Sequence, residues 1–63
     1  MSAEQLRRLE YINRFAILCP KIVKPINYVQ FAILNDAERD TCLMNAEKLI
    51  KKVQQELEAS LRN

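Results

Sequence analysis

Apolar side chains recur at steps of three and four residues near the start of the chain, which is the spacing of a helix with one buried face. These side chains are Leu6, Leu9, Ile12, Ala16 and Cys19. The order Ser2-Ala-Glu-Gln5 ahead of them has the form of a capping box, in which two side chains satisfy backbone amides at a helix start. The pattern predicts a helix over residues 3–18. Pro20 ends it, because proline disfavours helical geometry in the residue before it.

A longer apolar pattern runs through the last part of the chain. It contains Leu43, Ala46, Ile50, Val53 and Leu57, and it is widened on one side by Cys42 and Leu49. This is the repeat of a coiled-coil seam and predicts a helix over residues 36–61. Asn35 or Asp36 is expected to cap that helix, since Glu38 completes a second box-like pattern with Asn35. We expect Leu43, Ala46, Leu49, Ile50, Val53 and Leu57 to form core or dimer contacts.

The segment between the two helices is apolar but interrupted by prolines. Residues 19–25 contain Pro20 near their start and Pro25 at their end. We expect them to form a semi-extended connector. Ile22 and Val23 should lie against the core.

Residues 26–34 are ambiguous between an edge strand and a short helix. We favour the helix, because Pro25 suits a first helical position and the chain offers no second strand to pair with, except its own copy across a dimer axis. Tyr28 and Phe31 are then expected in the core. The segment is too apolar to be exposed along its length.

The predicted fold is all-α, with residues 1–63 forming a single helical domain. A chain of 63 residues buries little surface, so its core supplies only about 3–5 kcal/mol and a further stabilising device is expected. Two cysteines and no histidine give neither a disulfide framework nor a zinc site. Because 49% of the residues are hydrophobic, we expect a helical-bundle homodimer with two-fold symmetry.

The residue types that are missing exclude most catalytic chemistry. Without glycine there is no phosphate-binding loop, dinucleotide-binding turn or nucleophile elbow, and without histidine the commonest general base is absent. We therefore expect no enzyme activity, no cofactor and no metal. Cys19 and Cys42 are interpreted as small buried hydrophobes.

Basic residues predominate in the first third of the chain. Residues 1–25 hold five basic and two acidic side chains, a net charge of +3, and the basic ones are Arg7, Arg8, Arg14, Lys21 and Lys24. These could contact nucleic acid or an acidic partner, although a solvated helix face explains them more simply. In the nucleic-acid alternative, residues 25–34 form a recognition helix that carries Asn27, Tyr28 and Gln30.

No apolar stretch approaches the roughly 18 residues of a membrane span, and no cleavage-site pattern follows the early arginines. The sequence favours a soluble cytoplasmic protein with reduced thiols and without membrane contact.

Three features occur together in the 63 residues: an early helix with EQLRRLE, an apolar middle broken by prolines, and a long charged helix with NAEKLIKKVQQELE. In length and layout the chain resembles the small early accessory proteins encoded between the exonuclease and excisionase genes of lambda-like phages. The resemblance implies an all-helical obligate dimer, made early in the host cytoplasm, that favours lytic development. It supplies no site residues.

Two functions remain after these exclusions. The first is a non-enzymatic helical homodimer that acts as a regulatory or protein-interaction accessory factor on an unidentified host or phage protein. The alternative is a small DNA-binding transcriptional regulator that uses the basic first third.

Overall fold

The computed structural model describes residues 1–62 and contains three helices in that range: α1 Ala3–Leu18, α2 Tyr28–Ala32 and α3 Asp36–Arg62. No strand occurs among these residues, so the all-α prediction is confirmed. The first and last helices lie where the apolar periodicity predicts them. The middle helix is shorter than the expected 26–34.

Helix α1 begins with the capping box that the sequence indicates. The backbone N–H of Gln5 donates to Ser2 Oγ at 3.1 Å, and the backbone N–H of Ser2 donates to Gln5 Oε1 at 3.3 Å. Two of the donors that a helix start leaves unpaired are thereby satisfied. Leu9, Ile12 and Ala16 form the buried face of the helix.

The first half of the connector is a tight turn, so the semi-extended prediction is wrong there. The N–H groups of Ile22 and Val23 both donate to the carbonyl of Cys19, at 3.1 and 3.3 Å. Pro20 explains the turn, because its fixed φ suits the second position of a β-turn that starts at Cys19. Val23 is buried as expected, whereas Ile22 remains more than a third exposed.

Helix α2 starts at Tyr28 because Asn27 caps it. The Asn27 side chain accepts a hydrogen bond from the N–H of Gln30 at 3.1 Å. Pro25 therefore lies outside the helix and not in its first turn. Of the two aromatic residues expected in the core, Phe31 is buried, but Tyr28 is about half exposed.

Helix α3 is capped by Asn35, which decides between the two predicted caps. The N–H of Glu38 donates to Asn35 Oδ1 at 2.8 Å, and the N–H of Asn35 donates to Glu38 Oε1 at 3.1 Å. Asp36 and Glu38 lie in the first turn and Arg62 in the last, which suits the helix dipole at both ends.

Helices α1 and α3 run in the same direction. Residues later in α1 contact residues later in α3, as expected for parallel helices. The contacts are Gln5 with Asp36, Arg8 with Asp40 and Glu47, and Tyr11 with Gln54. The connector and α2 return the chain to the start of α1. The core of the three-layer arrangement consists of Leu9, Ile12, Ala16, Val23, Phe31, Leu43 and Ile50.

Helix α3 is much longer than the helix it packs against. Its 27 residues span about 40 Å, against about 24 Å for the 16 residues of α1. The molecule is accordingly elongated, measuring 44 × 19 × 16 Å. All residues from 54 to 62 are exposed, and beyond the contact of Gln54 with Tyr11 no hydrogen bond from α3 to another helix is described.

Candidate interaction surfaces

The six residues predicted for core or dimer contacts fall into three groups. Leu43 and Ile50 are buried, Ala46 and Val53 are half-buried, and Leu49 and Leu57 are exposed. The buried pair packs in the core with α1. The coiled-coil repeat therefore serves partly as the intramolecular core, and only its remaining members are available to a second chain.

The available members form one stripe along the outer half of α3. Leu49, Val53, Leu57 and Leu61 are spaced four residues apart, and we call them the α3 stripe. Leu49 is 48%, Leu57 60% and Leu61 79% exposed. Residues four apart on a helix are neighbours on its surface, so the four side chains make a continuous apolar strip. Strips of this kind mark contact sites in small proteins.

Four further apolar side chains are strongly exposed, two at the end of α1 and two at α2. Ile17 and Leu18 end α1, and Val29 and Ile33 lie on and just after α2. They are between 73% and 80% exposed. The expectation that residues 26–34 are too apolar to be exposed is therefore wrong for Val29 and Ile33. A helix of five residues can turn only one side inward, and Phe31 takes that side.

Arg8, one of the five basic residues predicted to contact a partner, is held within the chain. Its Nε and one terminal nitrogen donate to the two carboxylate oxygens of Glu47, at 3.0 and 2.5 Å, and the other terminal nitrogen donates to Asp40 Oδ1 at 2.9 Å. These bonds to Glu47 first, and then to Asp40, raise the pKa of Arg8 above its ordinary value. Arg8 thus joins α1 to α3 as a permanent cation.

The four other predicted basic residues are exposed: Arg7, Arg14, Lys21 and Lys24. None of them takes part in the three ion pairs found among residues 1–62. They remain accessible to an acidic partner or to phosphates. Because Arg8 is engaged elsewhere, the cationic surface is smaller than the sequence suggests.

The proposed recognition helix does not form as the nucleic-acid alternative requires. Helix α2 has five residues, and Asn27 lies before it with its side-chain oxygen used as the cap. A helix that reads bases needs several exposed polar side chains on a rigid element of adequate length. Tyr28 and Gln30 are exposed, but Val29 and Ile33 lie beside them.

Asn13, Gln5 and Arg39 hold these elements together through long-range contacts that the sequence analysis did not predict, since it placed Gln5 only in the capping box. The Asn13 amide donates to the carbonyl of Ile26 at 3.0 Å and accepts from its N–H at 2.8 Å, which fastens the connector to α1. The buried Gln5 donates to Asp36 at 3.0 Å and accepts from Arg39 Nε at 3.2 Å. The sequence did contain a signal for the Gln5 contacts, because Gln5 is a polar residue at a core-facing position of the predicted helix and needs hydrogen-bond partners there.

The Arg39 side chain joins the end of α2 to the start of α3. Its guanidinium donates to the carbonyl of Leu34 and, at 3.5 Å, to that of Ala32, and it also faces Asp36 at 3.5 Å. These carbonyls lie at the last residue of α2 and two residues after it, where a helix end leaves carbonyl groups without helical partners. Because Arg39 also binds Gln5, one side chain connects α1, the end of α2 and α3.

A shallow groove with a volume of about 510 Å³ runs along the first half of α3. It is lined by Leu34, Ala37, Glu38, Thr41, Cys42 and Asn45. Cys42 and Cys19 are both free thiols of intermediate burial. Residues 1–62 bring together no group of three side chains able to hold a metal ion. No helix in this range combines the length and apolar character needed to cross a bilayer.

Comparison with known proteins gives no further guide, since no family model, curated protein or solved structure matches the chain.

Proposed function

We propose that the protein is a non-enzymatic helical homodimer that acts as a regulatory or protein-interaction accessory factor, as the resemblance to early accessory proteins of lambda-like phages implies. The observation that carries the proposal is the α3 stripe, an exposed apolar strip on a helix that is 11 residues longer than α1, the helix it packs against. A small core supplies about 3–5 kcal/mol, so covering this strip with a second copy adds stability that the single chain lacks.

An antiparallel arrangement of two α3 helices fits the spacing of the stripe. If Val53 lies on the two-fold axis, Leu49 of one copy is opposite Leu57 of the other, because both are four residues from Val53. A two-fold interface is self-complementary in this way, with each contact occurring twice. Four leucines then enclose two central valines, which makes a mixed aliphatic layer of the kind found in helical bundles.

Charge is compatible with the same register. Lys52 and Glu56 flank the stripe on the side of α3 that turns away from Leu43 and Ile50. With Val53 on the axis, Lys52 of one copy and Glu56 of the other lie on one edge of the interface, about 3 Å apart along the helix direction. On this edge each Lys52 lies between the Glu56 and the Lys52 of the other copy, so the attraction to Glu56 offsets the repulsion between the two lysines.

A cysteine at the axis tests the arrangement directly. In a background with Cys19→Ala and Cys42→Ala, the Val53→Cys variant is placed in a glutathione redox buffer and analysed on a non-reducing gel. We expect a covalent dimer, because two residues on a two-fold axis come within disulfide reach. The matched control is Lys51→Cys, whose side chain lies well round the helix from Val53 and should remain mostly unlinked.

Three results bear on the proposal. Rapid cross-linking of Val53→Cys alone supports the Val53-centred dimer. Equal cross-linking of both variants, or a wild-type mass of one chain, contradicts it.

A further inference from the structure

We propose that residues 20–34 form a strap that opens as a unit while α1 and α3 stay paired. The strap includes α2 and ends just before Asn35, the cap of α3. Its opening uncovers the core residues that the two long helices contribute, which are Leu9, Ile12, Ala16, Leu43 and Ile50. The proposed dimer is not required for this motion, because the α3 stripe lies outside residues 20–34.

The strap has few attachments to the long helices. Only Val23 and Phe31 are buried among residues 20–34. Its hydrogen bonds to α1 and α3, within residues 1–62, are those of Ile26 with Asn13 and those of the Ala32 and Leu34 carbonyls with Arg39. The backbone hydrogen bonds of its turn and of α2 stay within residues 19–34. Two short sets of polar contacts and two buried side chains therefore hold the strap closed.

The long helices, in contrast, are joined to each other directly. Arg8 donates to Asp40 at 2.9 Å and to Glu47 at 3.0 Å, and Gln54 donates to the Tyr11 hydroxyl at 3.1 Å. These contacts include no residue of the strap, so they survive when it opens. Segments with few buried contacts open at a lower free energy than segments with many, which makes the strap the first part of the chain to open.

The strap is also long enough to move without separating the helices. Gln5 contacts Asp36 at the start of α3, so the strap returns the chain from Leu18 to the level of Gln5, about 20 Å along α1. Residues 20–34 reach about 50 Å when fully extended. Both ends of the strap therefore stay in place while the segment between them lifts away.

Amide hydrogen exchange, followed by NMR on the full wild-type chain, tests the strap without any substitution. The reporters are the N–H groups of Ile26 and Phe31 in the strap and those of Ile12 and Leu43 inside the long helices. A helix as short as α2 is not stable alone in water, so both strap amides exchange whenever the strap opens. We expect Ile26 and Phe31 to share one protection factor, at least about tenfold below that of Ile12 and Leu43.

Arg8→Ala separates the opening of the strap from the unfolding of the whole chain. The bonds of Arg8 to α3 persist when only the strap opens and break when the chain unfolds. The substitution should therefore speed exchange at Ile12 and Leu43 about fivefold and leave exchange at Phe31 unchanged.

Asn13→Ala removes an attachment that breaks in both processes. Exchange at Phe31, whose own hydrogen bond is to Asn27, and exchange at Leu43 should both rise about fivefold or more. The matched control is Asn45→Ala, an exposed change on α3 that should alter neither rate.

Three outcomes would overturn the inference. Equal protection of the four reporter amides in the wild type would mean that the chain opens only as a whole. Different protection of Ile26 and Phe31 would mean that the strap does not open as a unit. Faster exchange at Phe31 in Arg8→Ala would mean that α1 and α3 separate when the strap opens.

Discussion

The two halves of α3 carry the same apolar repeat but have different surroundings. In residues 36–50 Leu43 and Ile50 are buried against α1, although Leu49 at the start of the α3 stripe is 48% exposed. Arg8, Gln5 and Arg39 connect the two helices there through polar contacts. In residues 51–62 only Val53 is even half-buried, and Leu57 and Leu61 are exposed. The last hydrogen bond described between the two helices joins Tyr11 to Gln54, and beyond it α3 is exposed to its end at Arg62.

This contrast shows what an apolar repeat means. Apolar residues at steps of three and four indicate that one face of a helix is buried. They do not indicate whether that face packs against the same chain or against another chain. Polar contacts distinguish the two halves of α3, because the long-range hydrogen bonds to α1 are concentrated in the first half. The last one described along α3 joins Gln54 to Tyr11 at 3.1 Å.

The largest expected effect comes from Ile50→Asp in the covered half. A carboxylate at a fully buried site without a partner should lower the free energy of unfolding by about 3–5 kcal/mol, enough to unfold the chain. Circular dichroism should show loss of helix at all concentrations. Retention of a cooperative thermal transition would mean that Ile50 is not in the core.

Leu57→Asp makes the same chemical change in the uncovered half. We expect the proposed dimer to dissociate, with the mass falling to one chain, while most of the helical signal remains because Leu57 is 60% exposed and is not a member of the core. Light scattering and circular dichroism on one sample give both answers. An unchanged mass would exclude the α3 stripe as the interface.

The hydrogen bonds between Asn13 and Ile26 should contribute less to the free energy of unfolding than the buried Ile50 does. Asn13→Ala leaves the N–H and carbonyl of Ile26 without their partner, which should cost about 1–3 kcal/mol in urea unfolding. Asn45→Ala, an exposed change on α3, serves as the control and should cost less than about 0.5 kcal/mol. Equal effects of the two substitutions would show that the Asn13 contact does not stabilise the fold.

The smallest effect is expected at the ion pairs that join the helices. Arg8→Ala should lower stability by about 1 kcal/mol, because the pair with Glu47 is two-pronged but the Arg8 side chain is still 24% exposed. The loss should shrink in high salt, where exposed ion pairs are screened. Arg7→Ala is the control and should be neutral; a loss as large as that of Arg8→Ala would contradict the assignment.

Much of this fold could be predicted from the sequence because its signals are local. The capping boxes at Ser2 and Asn35, the stop at Pro20 and the apolar spacing all act within a few residues. The parallel course of α1 and α3 could not be predicted, since it depends on contacts such as Asn13 with Ile26 between residues far apart in the chain. For the same reason the pairing of Arg8 with Glu47, and not with the nearby Glu4, has no local signature.

The candidate surfaces were predictable only in part. Leu49 and Leu57 follow from the periodicity, but their exposure depends on which side and which part of α3 the helix α1 covers. The exposure of Val29 and Ile33 was missed, because an apolar segment such as residues 26–34 is ordinarily interpreted as core.

The most direct test of the central claim is the mass of the wild-type protein in solution. Sedimentation equilibrium across a concentration series around micromolar should give twice the 7.4 kDa of one chain, because the α3 stripe is covered only when two copies associate. At lower concentrations the mass should fall together with the melting temperature. A constant mass of one chain, with cooperative unfolding that does not depend on concentration, would contradict the account.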